Sequence, residues 1–124
     1  MPNAVSPFAG QKYLSLESFR KNGVGVAVPV WFAEESGTLY VYSEAASGKV
    51  KRIRNNPRVR VAPCDMRGRV KGDWIQAAAR LLSGSEALHA DDLLNAKYGY
   101  QKRLLGFFAK FRPHPRAYIA ITPS

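Results

Sequence analysis

The sequence is short of several things, and each shortage excludes something. It holds one cysteine, Cys64, so no internal disulfide can form and a reducing cytoplasm is the expected compartment. No apolar run reaches the roughly 18 residues of a membrane-spanning helix. The opening MPNAVSPFAG lacks the basic-then-apolar layout of a secretory leader. One cysteine and two distant histidines, His89 and His114, spell out no metal-ligand cluster, so zinc is not expected. There is no G-x-G-x-x-G and no Walker motif, which leaves the common nucleotide-binding folds without support. Acid is scarce: 9 Asp and Glu stand against 19 Lys and Arg, for a net charge of +10.

What is present fits one small domain. The chain has 124 residues, enough for a core that buries roughly two-thirds of the unfolded surface. Its 46% hydrophobic content excludes a disordered chain. The charge excess has three readings: nucleic acid, a polyanionic small molecule, or a basic solvated surface. Residues 1–12 read as a loose or docked tail, and 13–124 as a single domain.

The patterning is mostly that of strands. Tyr13–Phe19 and Val24–Phe32 flank Lys21-Asn22-Gly23, and Asn-Gly predicts a type I′ hairpin turn. Glu35-Ser36-Gly37 is a second tight turn, and Thr38–Ser43 alternates as a third strand. A basic helix follows over about Ser47–Asn55, with Val50 and Ile53 spaced to face the core, and Asn56-Pro57 stops it. Val59–Cys64 reads as a fourth strand. Asp73–Leu82 is a fifth, although its alanines also suit a helix. Glu86–Tyr98 is a helix, Tyr100–Phe111 a second helix or turn, and Ala117–Thr122 a last strand. Hairpins dominate this order, which favours an antiparallel closed or split barrel over a parallel sheet.

The stretch Ser43–Cys64 carries the clearest chemistry. Ser47-Gly48-Lys49 places small residues and a lysine at a helix start, where free N–H groups and the positive dipole end favour an anion such as phosphate. Ser47 also suits a plain N-cap. Successive helix residues diverge by about 100°, so Lys49, Lys51, Arg52 and Arg54 cannot all meet one ligand. Arg52, three residues after Lys49, is the better partner, with Lys51 next. Arg54 and Arg58 read as surface or dimer ion-pair residues. Pro29 cannot donate to a ladder, so it asks for an edge or a bulge. Cys64 reads as a buried inert thiol, and Asp91-Asp92 as surface charges rather than an acid–base pair.

Taken together, Phe19-Arg20-Lys21-Asn22-Gly23, Val28-Pro29-Val30-Trp31-Phe32, Tyr42-Ser43, the run Ser47–Val59, Val61-Ala62-Pro63-Cys64-Asp65 with Arg67-Gly68, and Lys97-Tyr98-Gly99 resemble the pyridoxamine-phosphate-oxidase-like flavin and deazaflavin proteins. The resemblance spans about Tyr13 to Ile121. It implies a mainly β fold, a six-stranded antiparallel split barrel with two or three flanking helices. It also implies a homodimer that holds coenzyme F-420 or FMN in a groove between subunits. Val28, Pro29, Val30 and Trp31 would then run along the ring, while Ser43, Ser47, Gly48 and Lys49 hold the phosphate. Lys51 and Arg52 would assist with phosphate or a longer anionic tail, and Trp74 would lie at the dimer groove. No catalytic acid or base is assigned, because such a cofactor carries the hydride chemistry itself. The rival readings are a non-catalytic flavin, deazaflavin or tetrapyrrole binder and, further off, a basic nucleic-acid-binding barrel.

Overall fold

The computed structural model describes residues 6–109 and 116–124, with the backbone alone for 99–109. Six strands make the body: β1 (Tyr13–Phe19), β2 (Gly25–Glu35), β3 (Thr38–Glu44), β4 (Arg58–Cys64), β5 (Ile75–Leu82) and β6 (Arg116–Pro123). They close in the order β1-β2-β3-β6-β5-β4, with β4 returning to β1, and every pairing is antiparallel. Closure leaves no strand as a free sheet edge along its whole length. Helix α1 (Gly48–Asn55) sits between β3 and β4, and α2 (Gly84–Ala109) between β5 and β6. The protein is thus mainly β, a six-stranded antiparallel barrel with two helices, as the hairpin-rich sequence suggests.

Period-two alternation fills the interior. Leu14 and Leu16 of β1, Val30 and Phe32 of β2, Leu39 and Val41 of β3, Val59 and Val61 of β4, Ala77 and Ala79 of β5, and Ile119 and Ile121 of β6 form one cluster. Val50 and Ile53 join it from α1, which therefore plugs the barrel with the face its i, i+3 spacing foretells. Within the described part of the tail, a single 3₁₀ turn, Ser6–Phe8, sends Phe8 into the core edge-on to Phe32, with centroids 5.8 Å apart. Outside the barrel, α2 lays Leu94 and Tyr98 over Ala33, Trp31, Tyr42 and Tyr118.

Two local readings change. Asn22-Gly23 is not a type I′ turn. Only Gly23 has positive φ (87°), the Gly23 N–H donates to Arg20 O, the Arg20 N–H donates to Val24 O, and Asn22 Oδ1 accepts from the Val24 N–H, so the side chain reinforces a backbone turn of another kind. The two-residue turn with both φ values positive is instead Ser36-Gly37, at 52° and 83°. Likewise, Gly99 does not divide the second helix, which runs unbroken to Ala109. One glycine costs about 1 kcal/mol relative to alanine, too little to break a helix anchored on both sides by good helix formers. The remainder of the predicted Tyr100–Phe111 segment, and His114, lie outside the described residues.

Two consequences for stability follow. Ile53→Ala empties part of the plugged end and lowers the unfolding free energy by about 2–5 kcal/mol, whereas exposed Arg54→Ala stays within about 0.5 kcal/mol; urea denaturation of both variants checks this. Lys97 of α2 folds its ammonium to 3.4 Å from the centre of the Phe32 ring, and burial pushes its pKa from 10.5 down to about 8. The folded state therefore binds that proton more weakly than the unfolded chain does. Stability contributed at this site rises as pH climbs from about 8 toward 10.5 and is lost below that window. Thermal denaturation across it should show the rise in the native protein and a flatter response in Lys97→Met.

Candidate functional site: an unzipped hairpin ending on a helix start

Strand β2 changes partner halfway along. Gly25–Trp31 pairs with β1, while Phe32–Glu35 pairs with β3. The β2–β3 ladder closes at Phe32↔Val41 and goes no further. Continued in register, it would set Trp31 against Tyr42, Val30 against Ser43 and Pro29 against Glu44. Those six residues instead face one another across a groove of about 410 Å³, lined also by Tyr13, Ser47 and Lys49. That volume lies in the range of small-molecule clefts, roughly 300–1,000 Å³. The groove is an unzipped hairpin. Pro29 pairs with Ser15 of β1 but has no partner on the β3 side, an open edge that suits its missing N–H.

The wall is aromatic. Trp31 stacks on Tyr98 at 4.6 Å with 7° between planes and meets Tyr42 edge-on at 6.5 Å. Tyr42 in turn leans on Tyr118, whose hydroxyl donates to Asp91 Oδ1 at 2.6 Å. Asp91 is thus a tether for the sheet rather than a plain surface charge. Burial raises the pKa of Tyr42, so its phenol stays neutral at physiological pH.

The far end is cationic. β3 runs through Ser43 and Glu44 into α1, and Ser47 is the N-cap of α1. Ser47 Oγ accepts from the Val50 N–H at 3.4 Å and lies 3.0 Å from Ser43 Oγ. Lys49 reaches the groove from the first turn of α1. Burial and then the neighbouring Arg52 lower its pKa, while Glu44 opposes them. A half-buried ammonium beside a second cation is stabilised by a bound anion, and the dipole end of α1 favours the same occupant.

Of the residues singled out from sequence, the groove gathers Pro29, Val30, Trp31, Ser43, Ser47 and Lys49. The others stand apart from its lining. Val28 packs on the barrel core. Arg52 donates from Nε to Ser18 Oγ of β1 at 2.6 Å, which pins α1 to the barrel; its guanidinium also crosses Gly48, where an added Cβ would meet Nη1 at 2.7 Å. Lys51 is exposed. Trp74 lies under the Arg60 guanidinium, 4.8 Å away, and Glu17 holds Arg60 at 2.6 Å. Sequence reasoning missed Tyr13, Tyr42 and Glu44 as lining residues. Their place depends on where β2 leaves β3, which no local pattern states. Cys64 is buried, and burial raises its thiol pKa, consistent with an inert cysteine. Among the described residues no group of His, Cys, Asp and Glu could hold a metal ion, and no helix is long and apolar enough to cross a membrane.

Comparisons with known proteins agree with this architecture. A conserved hypothetical protein from Mycobacterium tuberculosis superposes with a TM-score of 0.72 at 19% identity, over 99% of this chain and 81% of the other. The haem storage protein HutZ from Vibrio cholerae gives 0.71 at 13% identity, over 93% and 83%. A FAD-binding protein from Mesorhizobium loti gives 0.64 at 17% identity, over 97% and 84%. At these identities the likeness shows the fold alone. No curated protein matches the sequence. The family model described as pyridoxamine 5'-phosphate oxidase matches residues 1–124, and the chain belongs to that family.

Proposed function

We propose that the groove binds a phosphate-bearing flavin or deazaflavin, FMN or coenzyme F-420, and that the protein is an oxidoreductase. Bound there, the cofactor would supply hydride transfer to or from a small conjugated substrate. One observation carries the reading: the aromatic groove of the unzipped hairpin ends on the first turn of α1, at Ser47 and Lys49. A flat apolar wall suits a tricyclic ring, and a half-buried lysine at a helix N-terminus suits its phosphate. Phe32 turns its N–H and C=O toward the Tyr98 hydroxyl, so by strand alternation Trp31 turns its own toward the open rungs. Those polar groups can meet the edge of a heterocycle. The net charge of +10 attracts anionic cofactors from a distance.

A tetrapyrrole-binding role is the second reading, favoured by the haem storage protein among the structural neighbours. Against it, no histidine or cysteine lines the groove among the described residues; Tyr13, Tyr42, Glu44 and Lys49 are the side chains there that could approach an iron. We also propose that two copies meet around the cofactor, since a single chain leaves Pro29 exposed and Trp31 half-buried on the open side.

Two measurements test these readings. Titration with FMN and with coenzyme F-420, followed by fluorescence quenching, should show micromolar binding of one of them. Lys49→Ala should weaken it by about 1.5–3 kcal/mol, the range for a charge-assisted hydrogen bond, while Arg54→Ala leaves it unchanged. Equal loss in both variants would reduce Lys49 to bulk charge. Absence of flavin binding together with a Soret band on adding haem would favour the tetrapyrrole reading. Sedimentation of the cofactor-loaded protein should give the mass of a dimer, and a monomer that retains the cofactor would remove the shared-groove arrangement.

A further inference from the structure

The partner change of β2 raises an accounting question about backbone polar groups. Tyr13↔Trp31 is the last rung of the β1–β2 ladder. The next rung in register would join Lys12 to Phe32. It is absent, and the hydroxyl of Tyr98 occupies its place. The Phe32 N–H donates to the Tyr98 hydroxyl at 2.9 Å. The single hydroxyl proton has two carbonyls in reach, Lys12 O at 2.7 Å and Phe32 O at 2.8 Å. A phenol contributed 66 residues along the chain thus serves as a one-atom spacer between two strands. It satisfies groups that would otherwise be buried without partners, since Phe32 is about 1% exposed.

The ring of the same tyrosine lies flat on Trp31 at 4.6 Å. Tyr13 and Trp31, the rung directly before the spacer, both line the groove. Tyr98 therefore touches the groove wall in two ways. Its hydroxyl holds the two strands apart just past that rung, and its ring fixes the plane of the indole. A direct Phe32–Lys12 rung would draw β1 and β2 together by the thickness of the inserted oxygen and shift both wall residues with them. Burial keeps the phenol protonated, with a pKa of about 12, so the spacer is unchanged across physiological pH.

We propose that Tyr98 is the positioning residue of the groove: its hydroxyl wedges β1 from β2 where β2 changes partner, and its ring sets the plane of Trp31 against which the ligand lies. The effect on ligand affinity rests on the flavin reading above; the wedge itself does not.

Tyr98→Phe keeps the stacked ring and removes the spacer, and Val59→Ala, in the core and off the groove, serves as a variant of comparable stability loss. Three readouts apply: amide exchange at Phe32 by NMR, the near-ultraviolet circular dichroism of the tryptophans, and affinity for FMN or coenzyme F-420, whichever binds the native protein. In the native protein the Phe32 amide should be as protected as its ladder neighbours; an unprotected amide there overturns the wedge without any variant. Tyr98→Phe should lose that protection, change the tryptophan dichroism and bind that cofactor about tenfold more weakly, the loss of one buried hydrogen bond, while Val59→Ala retains all three. Unchanged exchange and dichroism in Tyr98→Phe overturns the proposal, as does an equal change in Val59→Ala. If the native protein binds neither FMN nor coenzyme F-420, the flavin reading fails, and the wedge is still decided by exchange and dichroism.

Discussion

The arrangement of the molecule depends on one strand serving two partners. β2 pairs with β1 along its first half and with β3, on its opposite edge, along its second, and the two ladders do not overlap. Pro29 contributes to that choice chemically, because it removes an N–H from the stretch where a β2–β3 ladder would continue. The opening that results is bounded by backbone and by residues held on their other side, β2 by β1 and β3 by β6. It is therefore built into the rigid part of the fold rather than assembled from loops. Ligand sites gain from such placement, since fewer residues must be ordered when the ligand arrives.

The same constraint explains why the helices lie where they do. β3 keeps its pairing with β6 as far as Glu44, so the chain leaves the sheet beside the open rungs and enters α1 there. Val50 and Ile53 then hold α1 across the barrel end, and Arg52 fastens it to Ser18. With the helix fixed by those three contacts, Ser47 and Lys49 are left at the groove. On the other side, α2 covers the outer faces of β2, β3 and β6, and its Tyr98 supplies the hydrogen bonds that the partner change removes. One helix gives the groove its charge and the other its shape.

Much of this was legible in the sequence, and the remainder was not for definable reasons. Alternation in Thr38–Ser43, the β-branched run before Phe32 and the i, i+3 pair Val50 and Ile53 are local signals, and the barrel and the plug follow from them. Ser47-Gly48-Lys49 is a local signal too. Lys49 does reach the groove, but the family of cations around it divides by helix geometry, with Arg52 turned to β1 and Lys51 to solvent. Asn22-Gly23 carried the expected composition without the expected backbone, because the Asn22 side chain offered the Val24 amide a partner. Glu44 and Tyr13 join the site through register, and Tyr98 through a contact across 66 residues; neither kind of relation leaves a trace in a short window of sequence.

Charge is the feature most easily misread here. The excess of +10 suggests a polyanion spread over a surface, yet the cations are not equivalent. Arg60 is held by Glu17 and Arg80 by Glu86, so two arginines of the β4–β5 face already have carboxylate partners. Lys51 and Arg54 are solvated on the outer side of α1. Solvated and paired charges contribute to a diffuse field that salt screens within about a Debye length, roughly 8 Å at physiological ionic strength. Lys49 differs because it is half-buried and placed at a helix start, where burial and Arg52 outweigh the nearby Glu44 carboxylate. A cation that has lost part of its water gains more from one well-placed anion than a solvated cation gains from many. The diffuse field can bring an anionic ligand to the surface, but it is the partial desolvation at Lys49 that distinguishes a site from a charged face.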